Sequence, residues 1–297
     1  MKITNGQILY LYDAKLTNPN GDPDEENRPR MDYEREVNLV SDLRLKRYIR
    51  DYLLDKGHEL YVQQVGGQPI TAAERVKSLS AKEGELMQAV LQAFVDIRLF
   101  GATIPVKQDN QTITGPVQFN WGYSLHPVKL LETSITSTFA SKAGKRQGSI
   151  GKDYRVMYSL LAFSGVISGK RAAHTGLSED DLSLLDEAMV KAIPLLATRS
   201  KIGQQPRLYM RLVLKDDETI LKDLRNYVKI VESTQDNLRD ITEFKLDITL
   251  LKSYIASCRE KIERVVYFTD GDLQFICDGQ PVSIPKCLGD IPAIELT

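Results

Sequence analysis

A hydroxyl and four cations fall within ten residues of this chain: Ser41, Arg44, Lys46, Arg47 and Arg50. Ser41 stands at the N-cap position of DLRLKRYIRDYLLDKG, where Leu45, Tyr48, Ile49, Tyr52 and Leu53 recur at helical spacing and Gly57 closes the pattern. A helix start offers unpaired amide hydrogens and a partial positive charge, a combination that suits phosphate. Lys46 and Arg50 are four residues apart and so share a helix face. That face is expected opposite the apolar stripe, where the pair can reach successive phosphates of an extended strand.

A second basic segment, ASKAGKRQGSIGK (140–152), carries Lys142, Lys145, Arg146 and Lys152. It reads either as a flexible arm that folds over a polyanion or as a plain surface loop. It is not a Walker A site, because Arg146 stands where the first glycine of GxxxxGK[ST] is required and Asp153 follows Lys152.

Other chemistry is poorly supplied. The loop NPNGDPDEENRPRMD (18–32) is rich in acids, but it lacks the alternating third ligand and the closing glutamate of a calcium loop. Its Asn-Pro, Asn-Gly and Asp-Pro steps predict sharp turns, hence a shaped, projecting structure. His58, His126 and His174 are scattered, and neither GxSxG nor HExxH occurs. No catalytic residue, metal or cofactor is expected. Phe119, Trp121 and Tyr123 alternate with polar residues in GPVQFNWGYSLHPV, and their apolar company favours core packing over a platform for stacked bases.

The elements that must position these residues follow from periodicity. QILYLYDAKL (7–16) predicts a first strand, and RVMYSLLAFSGVI (155–167), apolar on both faces, an interior strand. Residues 58–65 suggest a short strand, and one amphipathic helix is expected from Gly84 to about Ile97. Ser178 caps the helix EDDLSLLDEAMVKAI. RLYMRLVLK predicts another strand, residues 218–263 read as mostly helical, and strands return at VVYFTD and LQFICD. The order points to an α+β fold, one antiparallel sheet with helices on one face and a ferredoxin-like core.

Bulk properties set the class. A chain of 297 residues with 42% hydrophobic and 27% charged residues can bury a large core. No apolar run is long enough for a membrane span, and MKITNGQILYLYDAKL reads as mature structure without a signal peptide. Three cysteines without CxxC spacing suggest a reducing cytoplasm. The net charge is only −1, yet Arg28 to Arg50 holds seven basic residues against four acids, and Ser141 to Arg155 five against one. Local basic patches on a balanced chain suit a protein that grips an anion on one side and makes protein contacts elsewhere.

With these residues assembled, the chain resembles the backbone subunit of type I CRISPR surveillance complexes, the Cas-seven family of Cascade, in the branch shared by subtypes I-B and I-C, with I-B favoured. The motifs NPNGDPDEENRPRMD, LVSDLRLKRYIRDYL, DIRLFGA, TGPVQFNWGYSLHPV and HTGLSEDDLSLL carry the resemblance, in order, between about residues 18 and 186. It implies a single hand-shaped domain over 1–297, with a modified RRM-like palm, a finger insertion near 66–115 and a thumb loop at 133–153; residues 218–263 receive no role from it. The family's helix start maps onto Ser41, Lys46 and Arg50, whereas Leu43 stands where the family carries glutamine. The opening loop, with Asn20, Arg28 and Arg30, would lie against RNA or a neighbouring copy.

The resemblance further implies a cytoplasmic, non-catalytic subunit that polymerises on CRISPR RNA as a helical filament and holds the guide for pairing with target DNA. Other Cascade subunits and, indirectly, a helicase-nuclease would be its partners, and no membrane would be involved. A binder that accepts any guide should hold phosphate and sugar and leave base edges free. Two alternatives stand beside it. One is a target-RNA endonuclease like the related type III backbone subunit, with Asp153 as its acid; the other is an α+β protein that binds a metal or small molecule.

Overall fold

The computed structural model describes residues 2–79, 81, 83–105, 110–140, 148–232 and 237–297. In chain order its main elements are β1 (Gly6–Thr17), β2 (Val37–Val40), α1 (Asp42–Asp55), β3 (Gly122–Ser124), β4 (Leu130–Ala140), β5 (Gly148–Ile167), α2 (Glu179–Leu195), β6 (Gln204–Leu214), α3 (Thr249–Ser257) and β7 (Ile262–Thr269). β1 is the middle of the principal sheet, antiparallel to β5 on one side and to β6 on the other. Beyond β6 lie β7 and then Ala293–Glu295, the latter in parallel; beyond β5 lie β3, β2 and Met31–Asp32. Strand β4 and Val117–Phe119 also pair with β5.

β1 reads as a nearly unbroken apolar run because both its faces are covered. Ile8, Tyr10, Tyr12 and Ala14 enter one core with α1 and α2, and Leu9 and Leu11 enter another with α3. That second core is closed by a four-stranded sheet (Lys229–Glu232, Phe244–Asp247, Phe275–Cys277 and Gln280–Pro281). The expectation of helices on one face is therefore corrected: α1 and α2 cover one face, and the opposite face carries α3 together with this second sheet. The mostly helical reading of 218–263 is corrected. Its regular elements are strands, two single-turn 3-10 helices ahead of α3 and a third after it, with α3 itself of nine residues. Phe244, Leu246 and Ile248 are buried and alternate with polar neighbours, a strand period.

Both N-caps form as the sequence indicates. Ser41 and Ser178 accept from the amides of Arg44 and Asp181, and Asp181 answers with a bond to the Ser178 amide. The segment 66–115 has its own small core, built from Val76, Val90, Phe94, Ile97 and Ile104 with Tyr61. Its expected single helix is two, Leu86–Ala93 and Val95–Phe100, separated where Phe94 takes an extended backbone. Residues 58–65 form no strand beyond one bridge between Val65 and Gln68. Of the segment 133–153, read as a loop, the described residues 133–140 and 148–153 form instead an antiparallel ribbon: Thr133 pairs with Asp153 and Thr136 with Ile150. Its Thr and Ile content favours strand more than its Ser and Gly content favours loop.

Candidate nucleic-acid interface

The opening loop is folded against the start of α1. Gly21–Asp22 pairs with Arg28–Pro29, and Met31–Asp32 with Val37–Asn38, which makes two miniature hairpins. The first turns through Glu26 and Asn27, both left-handed, and a side chain at Gly21 would collide with Asn27. Asn20 joins loop to helix: its Oδ1 accepts from the Ser41 amide at 2.9 Å and from the Ser41 hydroxyl at 3.0 Å. The Ser41 hydroxyl is thus committed as donor to Asn20 and as acceptor to the helix, rather than free for a ligand.

The loop also closes on the ribbon of β4 and β5. Arg28 lies 4.5 Å over the Tyr154 ring and pairs with Glu132 at 3.3 Å, while the Tyr154 hydroxyl donates to Glu26 at 2.8 Å. Lys152 stands 3.6 Å from Glu26 and 3.5 Å from Glu132. Arg30 pairs with Asp22 at 2.7 Å. Asp22 is therefore a partner for the loop's own Arg30, and Glu26 for Lys152 of the ribbon. Among the described residues no three His, Cys, Asp or Glu side chains gather as a metal site.

Lys46 and Arg50 do not project from the far side of α1, and that expectation is corrected. Lys46 is 7% exposed, donates to Gln118 Oε1 at 2.9 Å and lies 3.3 Å from Asp42. Arg50 pairs at 2.9 Å with Asp96, which is fully buried and also accepts the amides of Tyr61 and Val62. Both cations lie over Phe100. The partners come from residues 96–118, which dock on this side of the helix and which helical periodicity alone cannot place. Arg47 is the exposed one of the three, paired at 2.8 Å with Asp51 one turn on.

Arg44 is different. Its guanidinium lies 4.0 Å over the Tyr48 ring, and its Nε and Nη2 are buried without a hydrogen-bond partner among the described residues. Beside it is Lys201, from the turn between α2 and β6. The Lys201 ammonium donates to the carbonyls of Asn18 and, at 3.2 Å, Pro19. Gln204 accepts from the Tyr48 hydroxyl at 3.1 Å and donates to the Lys201 carbonyl at 3.0 Å, which ties the turn to α1. No carboxylate pairs with Arg44 or Lys201 among the described residues. Burial first, and then the positive charge of Arg44, bring Lys201 down to about 7. Two half-buried cations thus lie near each other with no carboxylate paired to either among the described residues. Sequence reading missed Lys201, although the basic run TRSK (198–201) before a strand was a usable signal.

Next to this pair, Asp153 at the base of the ribbon is held by Arg155 at 2.8 Å and Arg199 at 3.0 Å. Burial raises its carboxyl, but the two guanidiniums outweigh that effect and leave it below its ordinary value. Arg155 also donates to the Leu16 carbonyl at 2.7 Å. Of the second basic segment, Lys152 is placed as above; Lys142, Lys145 and Arg146 lie outside the described residues.

Comparison with known proteins now bears on this arrangement. The family described as CRISPR-associated protein Cas7 matches residues 4–249. The CRISPR-associated protein Cas7 of Haloferax volcanii is 30% identical over 301 residues, covering 92% of this chain and 88% of that protein. Among solved structures, a chain of a CRISPR RNA-guided surveillance complex, pre-nicking, shares the fold with a TM-score of 0.58 at 13% identity, covering 99% of this chain and 97% of the other. A chain of a second CRISPR RNA-guided surveillance complex gives 0.52 at 15% identity, with 96% and 97% covered. The match to the family spans well over half of the sequence, and this chain belongs to the Cas7 family of CRISPR-associated proteins.

Proposed function

We propose that the protein is a non-catalytic backbone subunit of a type I Cascade complex, of the I-B branch, that polymerises along CRISPR RNA and holds it by its sugar–phosphate chain. The observation that carries this reading is the pair Arg44 and Lys201, half-buried near each other where the opening loop, α1 and the turn before β6 meet, with no carboxylate paired to either among the described residues. A phosphodiester supplies the missing charge and acceptor oxygens, and demands nothing of the base attached to it. The likeness to chains of RNA-guided surveillance complexes supports RNA as the ligand and sister subunits as neighbours. In this reading 66–115 is the finger, 133–153 the thumb, and the bound guide remains available to target DNA. Asp153, clamped between two arginines, is a poor acid for RNA cleavage, which favours the binder over the nuclease.

Fluorescence anisotropy of the full chain with labelled single-stranded RNA, repeated across salt concentrations, tests it. Arg44→Gln with Lys201→Gln should weaken binding about 10-fold or more, alike for unrelated sequences, and lower the salt slope by roughly 0.7 for each lost phosphate contact. The same double variant should melt close to the parent, because the hydrogen bonds it loses at Lys201 are offset by removal of two half-buried charges that no carboxylate neutralises among the described residues. Unchanged affinity and slope would refute the assignment.

A further inference from the structure

Trp121 is the single tryptophan of the chain, and its side chain is 43% exposed. The alternation of 117–125 predicts it in the core with Phe119, but the register inverts between them. Phe119 covers Gly165, and Phe163 in turn covers Gly122, where a Cβ would stand 2.3 Å from the ring. With Gly122 forced inward, Trp121 and Tyr123 turn to the other face.

The main chain of Trp121 is nonetheless fixed on both sides. Its backbone amide donates to Asn120 Oδ1 at 2.8 Å, and its carbonyl accepts from Arg225 at 2.8 Å. Arg225 is itself buried, lies 4.5 Å over Tyr123 and is fixed by Asp223. Arg30, oriented by Asp22, places its guanidinium 5.9 Å from the indole centroid. The ladder pairs Val40 with Gly122, so the next residues along, Ser41 and Trp121, sit at the start of α1 together. An exposed tryptophan on a hydrogen-bonded main chain, with a cation beside its ring, thus adjoins the place proposed for the RNA backbone.

We propose that Trp121, with Arg30, is a stacking site for an unpaired nucleobase of the bound RNA. This rests on the RNA-binding reading above and adds a base contact that tolerates any sequence, since every base has a π-face. The strand would run its phosphates past Arg44 and Lys201 and lay one base on the indole.

The lone tryptophan makes the test direct. Emission of the full chain is followed while a 12-nucleotide RNA, or an abasic ribose-phosphate strand of equal length, is added, with anisotropy reporting binding in parallel. RNA should quench the indole, and the abasic strand should bind without quenching. Trp121→Ala should weaken RNA about 5- to 100-fold and leave the abasic strand unaffected, while Trp121→Phe restores most of the affinity. RNA that binds at full strength without quenching, and equally to Trp121→Ala, would overturn the stacking site and leave the backbone reading intact. Failure of both strands to bind at all would overturn the two together.

Discussion

A lysine ammonium in water keeps its proton to far above neutral pH, and the Lys201 side chain does not. Its burial beside Arg44 has two consequences of opposite sign. In the free protein its folded value, about 7, lies below its unfolded one, so the unfolded chain binds more protons between the two. The penalty for holding the charged form is present below pH 7 and is relieved as pH rises, so stability of the free protein should increase across that range. A phosphate beside Lys201 raises its value again, which makes RNA binding proton-uptaking. Affinity should therefore be greatest below about pH 7 and fall by several-fold per unit above it. Lys201→Arg, whose charge does not titrate, should flatten the profile. Anisotropy titrations from pH 6 to 9 read this directly; an identical profile for parent and variant would dissociate Lys201 from the ligand.

At the scale of elements, α1 is an internal strut as much as a binding helix. Arg50 neutralises Asp96, which otherwise would be a carboxylate fully buried under the segment 58–62 and the 95–100 helix. Arg50→Ala should cost about 3 kcal/mol in urea denaturation, the usual scale for stranding one member of a buried pair. RNA affinity of the folded fraction should stay near that of the parent. Loss of RNA binding with no loss of stability would return Arg50 to the interface.

Local signals made much of this legible. The caps at Ser41 and Ser178, the ends of β1 and α2, and the interior character of β5 all follow from residues near in sequence. What could not be read depends on distant partners. Lys46 and Arg50 look free until Gln118 and Asp96 are brought to them, and Arg44 cannot be singled out from its neighbours until Lys201 arrives from 157 positions away. The face of Trp121 goes with its neighbour Gly122, whose inward side is closed by the ring of Phe163 from a distant strand.

At the scale of the whole molecule, one sheet organises everything. Its α1/α2 face and its opposite face are both covered, and the opening loop, the basic turn 198–203 and the ribbon base converge at one end of β1. Asn18 and Lys15 bond the backbone of that turn at Ser200 and Gly203, so the site is a junction of three segments rather than a single motif. No helix among the described residues is long and apolar enough to cross a membrane.

The central claim, that RNA lies on the half-buried cations Arg44 and Lys201, is tested most directly by lysine footprinting. The full chain is acetylated briefly at pH 7.5, free and with single-stranded RNA, and each lysine is quantified by mass spectrometry. Lys201, half-deprotonated near neutral pH, should react in the free protein and be strongly shielded by RNA, while the exposed Lys170 and Lys191 should change little. Equal labelling of Lys201 with and without bound RNA would contradict the account.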